Sequence, residues 1–105
     1  MLPPMDAPEF STHEEALLAA ERAFLPAHCE WDLNDTRVSW DPAKQVLTRF
    51  GALPTTMHFG ATELDLQQGE VRFTDQDHRD GADFLLHRAP LPEAWLTRLR
   101  ALVGT

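Results

Sequence analysis

The stretch Glu63-Leu64-Asp65-Leu66-Gln67-Gln68-Gly69-Glu70-Val71-Arg72-Phe73 decides the fold. Leu64 and Leu66 alternate with Glu63 and Asp65, and Val71 and Phe73 alternate with Glu70 and Arg72. Gln68-Gly69 between them is a two-residue turn signal. A period of two on both sides of a tight turn predicts an antiparallel hairpin with one apolar and one polar face.

Working outward, the same period recurs. Upstream, Val46 to Phe50 reads as a strand, Gly51 to Thr56 as a loop carrying Pro54, and Met57 to Phe59 as a short strand, with Gly60 interrupting the run from Met57 to Leu66. Further upstream, Cys29, Trp31 and Leu33 alternate with Glu30 and Asp32. Val38 and Trp40 resume the alternation after Asn34-Asp35, which suggests another hairpin, and Asp41-Pro42-Ala43 forms the next turn. Downstream, Thr74 to Gly81 reads as a long polar loop and Ala82 to His87 as the last strand.

The flanks switch to helical periodicity. Leu17, Ala20 and Phe24, widened by Leu18 and Leu25, predict a helix from about Thr12 to Leu25. Ser11 stands at the N-cap position with Glu14 three residues on, and Pro26 follows the helix. At the other end, Trp95, Leu96, Leu99, Leu102 and Val103 mark the buried face of a second helix opened by Pro92. Arg98 and Arg100 lie near its negative end. The expected architecture is α+β: an N-terminal helix, an antiparallel β-meander of about five or six strands, and a C-terminal helix packed on the sheet. Residues 1–10, with Pro3, Pro4 and Pro8, form an N-terminal arm that is mobile or lies extended on the domain. Residues 11–105 form the single domain.

Charge is distributed unevenly over the 105 residues. The chain carries a formal net charge of −8. Residues 1–35 hold the carboxylates Asp6, Glu9, Glu14, Glu15, Glu21, Glu30, Asp32 and Asp35 against Arg22 alone, while acids and bases nearly balance in the remainder. A negative first third repels phosphate backbones and attracts basic partners, so nucleic acid is not an expected ligand. With 43% hydrophobic residues the chain has enough apolar content for a core. The lone Cys29 allows no disulfide within the chain. Neither a signal-type segment nor a membrane-length apolar run is visible, and the expectation is a cytoplasmic protein.

Motifs for chemistry are weak. Asp75, Asp77, Asp80 and Asp83 crowd one loop, but the third acid and Gly81 come one residue late for an EF-hand, and position twelve is Leu86, so a solvated hairpin tip fits better. The histidines His13, His28, His58, His78 and His87 form no ligand pair at metal-binding spacing. His28 and Cys29, adjacent on a strand, would point to opposite faces and not meet. Glu63, Asp65, Glu70 and Arg72 superficially suggest a nuclease, but no lysine accompanies them, and outward-facing strand acids explain them. Glycine-rich phosphate loops and serine elbows are missing from the sequence. Catalytic residues, cofactors and metal ligands are therefore not assigned, and the reading leans away from an enzyme.

Trp31, Trp40 and Trp95 fall on apolar faces and read as core, with Trp31 or Trp40 as a candidate aromatic anchor. The leading expectation is a small acidic protein-binding module, inhibitor-, adaptor- or chaperone-like. Glu14, Glu15, Glu21, Glu30, Trp31, Asp32 and Asp35 would engage a basic protein surface. The alternative is a small-molecule or metal-ion binding domain, enzymatic or not, with a pocket between sheet and helices that holds His58 or His87. Self-association through a sheet edge or face, giving a homodimer, is a third.

Overall fold

The computed structural model describes residues 7–26, 31–53, 58–77 and 83–104, with backbone only at 76, 77, 83 and 84. The element order is α1 (His13–Phe24), β1 (Asn34–Asp41), β2 (Val46–Ala52), β3 (His58–Asp65), β4 (Glu70–Asp77), β5 (Asp83–Pro90) and α2 (Glu93–Val103). The five strands form one open antiparallel sheet in sequence order, an α+β arrangement with β1 and β5 at its edges.

Residues directly opposite in an antiparallel pair share a face. The ladder Trp40–Leu47–Leu64–Val71–Ala89 and, one step along, Val38–Arg49–Thr62–Phe73–His87 therefore define one side of the sheet. Leu47, Leu64, Val71 and Phe73 on that side join Ala16, Leu17 and Ala20 of α1 and Trp95, Leu96 and Leu99 of α2 in one buried cluster. Both helices thus cover the same face, and no described helix packs on the other. Trp95 meets Phe24 of α1 edge-on at a centroid distance of 5.1 Å and Phe10 at 5.9 Å. Ala7 is buried as well, so residues 7–10 pack against the helical layer.

The helix starts one residue later than the sequence spacing suggests. Thr12, not Ser11, is the N-cap: its hydroxyl oxygen accepts from the Glu15 backbone N–H at 3.1 Å. The Glu15 carboxylate in turn accepts from the Ser11 and Thr12 hydroxyls. Pro92 is the N-cap residue of α2, and Gly104 in the left-handed region closes it.

The first expected hairpin is corrected. Asn34 and Asp35 are not its turn but the start of β1, and residues 31–33 do not form a strand. Trp31 and Leu33 instead lie on the helix-side face over two glycines that face each other across β2 and β3, Gly51 and Gly60. A Cβ on Gly60 would come within 2.7 Å of Leu33 Cδ2 and 3.1 Å of Trp31 Cη2. One on Gly51 would come within 2.7 Å of the Asn34 carbonyl oxygen. Gly60 therefore does not interrupt β3; it gives the indole room to lie against the strand. β4 also runs on to Asp77, so the first part of the expected loop at 74–81 is strand. The remainder of that loop, with His78, Asp80 and Gly81, lies outside the described residues, as do His28, Cys29 and Glu30.

Candidate interaction surface

The acids of the chain fall into two groups. In the first, the carboxylate is satisfied inside the fold. Glu21 is the clearest case, and its place corrects the expectation that it belongs to an acidic surface. It projects from α1 onto the sheet with its side chain only 9% exposed, and both its oxygens accept from Arg49 Nη1, at 2.8 and 2.9 Å. Glu21 Oε2 also accepts from the Thr62 hydroxyl at 2.9 Å, and Thr62 Oγ1 accepts from Trp31 Nε1 at 2.8 Å. The chain Trp31–Thr62–Glu21–Arg49 ties α1, the segment before β1 and the two central strands together. Its two sheet members, Arg49 and Thr62, come from the inward-facing positions of β2 and β3. A buried charge pair of this kind is tolerated because each ion satisfies the other and the neighbouring hydroxyl satisfies a further lone pair. Arg49 Nε is buried without a hydrogen-bond partner among the described residues, as is Trp95 Nε1.

The second internal set lies on the sheet face opposite the helices. Arg72 Nε donates to Glu63 at 3.2 Å, and its Nη1 donates to Asp65 and Glu70, each at 2.9 Å. Partial burial of Arg72 on its own lowers its pKa. The hydrogen bonds to Glu70, Asp65 and Glu63 outweigh that, and the guanidinium is held above its ordinary value. Asp65 Oδ1 also accepts the Gln67 and Gln68 backbone N–H groups, which fixes the β3–β4 turn. These residues, which superficially resemble a nuclease set, form a cluster of three carboxylates gathered on one arginine. On the helix-side face, His58 Nδ1 lies 2.7 Å from Asp75 Oδ1, and His87 stacks on Phe73. Among the described residues no group of three His, Cys, Asp or Glu side chains is placed to hold a metal ion.

The other group of acids is exposed. Glu14 lies in the first turn of α1, and Asp32 and Asp35 lie on the approach to β1 and at its start; all three are exposed. None makes an ion pair with a described residue. Glu15 is also exposed but is engaged by the hydroxyls of Ser11 and Thr12. Asp35 takes a positive φ of 52°, which an Asp tolerates better than most residues. Trp31 is half-buried, with its indole N–H committed to Thr62 and its ring edge-on to Phe73 at 5.9 Å. Trp40 packs partly buried against the core.

Open grooves lie among the described residues. An open groove of about 430 Å³ is lined by Glu9, Phe10, Ser11, Glu15 and Arg98, and another of about 330 Å³ by residues of the β3–β4 turn and the end of β5. Neither His58 nor His87 lines either groove.

Sequence reading misplaced Glu21, although a signal was present. Leu17, Ala20, Glu21 and Phe24 stand at i, i+3, i+4 and i+7, so Glu21 falls on the apolar stripe of α1. The partner cation is visible by the same logic, since Arg49 shares the inward parity of Leu47. Comparison of the chain with protein-family models, curated proteins and solved structures finds no significant match. What the fold and surface define is an α+β arrangement in which the exposed Glu14, Asp32 and Asp35 pair with no described cation. No described helix is long and apolar enough to cross a membrane.

Proposed function

We propose that the protein is a protein-binding module whose N-terminal acids dock a basic surface of another protein. One observation carries this reading: Glu21 pairs with Arg49, and Glu63, Asp65 and Glu70 share Arg72, whereas the exposed Glu14, Asp32 and Asp35 pair with no described cation. Acids left without a cation keep a local negative potential, which steers a basic partner and pairs with it on contact. Occlusion of the partner's surface is then the mechanism, and no chemical step is required of this chain.

The test is charge neutralisation that respects the geometry: Glu14→Gln, Asp32→Asn and Asp35→Asn together, with Glu15 left to its hydroxyl contacts and Asn chosen at 35 for its tolerance of positive φ. Exposed pairs contribute about 0.2–1 kcal/mol each. The triple variant should therefore weaken partner capture about tenfold while its thermal unfolding stays close to that of the parent. Undiminished capture would remove the acidic surface from the account.

A further inference from the structure

Two acids and one arginine line a single groove without pairing to one another. The groove, of about 430 Å³, is formed by residues 9–11, the first turn of α1 and α2, and Glu9, Ser11, Glu15 and Arg98 are its described polar lining. No ion pair joins Arg98 to Glu9 or Glu15, and neither the Glu9 carboxylate nor the Arg98 guanidinium bonds to another described side chain. Glu15 accepts from the Ser11 and Thr12 hydroxyls through Oε1 alone. Phe10, half-buried with its ring 5.9 Å from that of Trp95, also lines the groove. Phe10 and Arg98 line a second groove as well, of about 270 Å³, which Ala101 and Leu102 continue. Across the two, the lining runs from two carboxylates and a hydroxyl, past Arg98 and Phe10, to an apolar end.

We propose that these adjoining grooves bind a zwitterion with an apolar side chain, either a free amino acid or a short peptide. An ammonium group carries three N–H donors and no acceptor. Glu9, Glu15 and the Ser11 hydroxyl oxygen present acceptors of that number in the larger groove. A carboxylate takes the planar fork of a guanidinium, and Arg98 supplies it at the border of the two grooves. The apolar side chain then lies over Phe10 toward Ala101 and Leu102. Charge selects this occupant over simpler ones. An amine without a carboxylate leaves Arg98 unmatched beside a second cation, an anion without an amine meets two carboxylates, and a neutral apolar molecule desolvates all three charges with nothing to pair them. The larger groove falls within the range of about 300–1,000 Å³ common to small-ligand sites. Glu14, Asp32 and Asp35 take no part, so the site stands apart from the docking of a basic partner.

Amide NMR of the isotope-labelled full chain, titrated with L-leucine and with L-leucyl-L-leucine to about 20 mM, tests this. The expected result is saturable shifts at Phe10, Ser11, Ala101 and Leu102, with a dissociation constant of about 0.1–5 mM for at least one of the two. The tighter binder shows whether the ligand is a free amino acid or a peptide. N-acetyl-L-leucine lacks the ammonium and L-leucinamide lacks the carboxylate, and each should bind at least about tenfold more weakly than the zwitterion. Arg98→Gln and Glu9→Gln should each weaken the zwitterion by a similar factor. Both positions are exposed, and circular dichroism establishes that the variants keep their fold. The absence of saturable shifts with both zwitterions overturns the proposal. So does binding that Arg98→Gln leaves unchanged, or acetylated and amidated leucine binding as tightly as leucine itself, since the contact is then apolar only.

Discussion

Replacing Glu21 by methionine removes one member of the buried pair and leaves the Arg49 guanidinium, 11% exposed, without its counter-ion. The Thr62 hydroxyl loses its acceptor in the same step. Breaking one side of a buried ion pair costs about 3–5 kcal/mol, because the remaining charge stays desolvated. The slight exposure of both side chains places this site at about 3 kcal/mol. A domain of this size has a total stability of about 5–15 kcal/mol, so the loss is a substantial fraction. With a urea m-value of about 1.5–2 kcal/mol/M, the unfolding midpoint should fall by about 1.5–2 M at unchanged slope. Arg49→Met should cost a similar amount, since it strands the carboxylate. The double variant Glu21→Met with Arg49→Met replaces the ions by apolar chains of comparable length, and should be less destabilised than either single variant. Urea unfolding followed by tryptophan fluorescence reads all four proteins. Single replacements costing under about 1 kcal/mol, or a double variant whose loss equals the sum of the two, would refute the claim that this pair is a coupled buried unit.

Two further outcomes follow from the same geometry. Gly51→Ala should destabilise more than Gly60→Ala: the new methyl at 51 meets the Asn34 backbone carbonyl, which cannot yield without parting β1 from β2, whereas at 60 it meets the flexible end of Leu33. Overpacking costs of about 1–3 kcal/mol apply, and thermal unfolding of both variants shows the order; the reverse order would contradict the seating of residues 31–34. Arg72→Met should cost about 2 kcal/mol by leaving Glu63, Asp65 and Glu70 to repel one another, and about 1 M salt should recover part of the loss in urea unfolding.

Much of the fold is legible because periodicity and turn chemistry agree over the central hairpin. Alternation at Glu63–Leu66 and Val71–Phe73 around Gln68-Gly69 is a local property, and the strands form where it occurs. The alternation of Trp31 and Leu33 is equally regular but has a different cause. Both residues alternate because one side packs on Gly51 and Gly60, and a contact some thirty residues away in sequence leaves no local trace. Glu21 was misread for a related reason: counting its charge with its neighbours obscured its place on the helix stripe. The side taken by the helices is hidden in β2, where Val46, Thr48 and Phe50 at one parity are nearly as apolar as Leu47 and Gly51 at the other. Such a strand does not announce which side the helices take. Exposure of Glu14, Asp32 and Asp35 was legible because little in the apolar pattern competes for those positions.

The central claim, that bare N-terminal acids recruit a basic protein, is tested most directly by affinity capture of the tagged chain from its own cell lysate at about 50 and about 300 mM salt. Surface charge pairs are screened over a Debye length that shortens as salt rises. The account predicts a basic protein recovered in stoichiometric amount at low salt and largely released at the higher, with less recovered by the Glu14, Asp32 and Asp35 neutralised variant. A partner retained equally at both salt concentrations, or recovery of this chain alone, would contradict it.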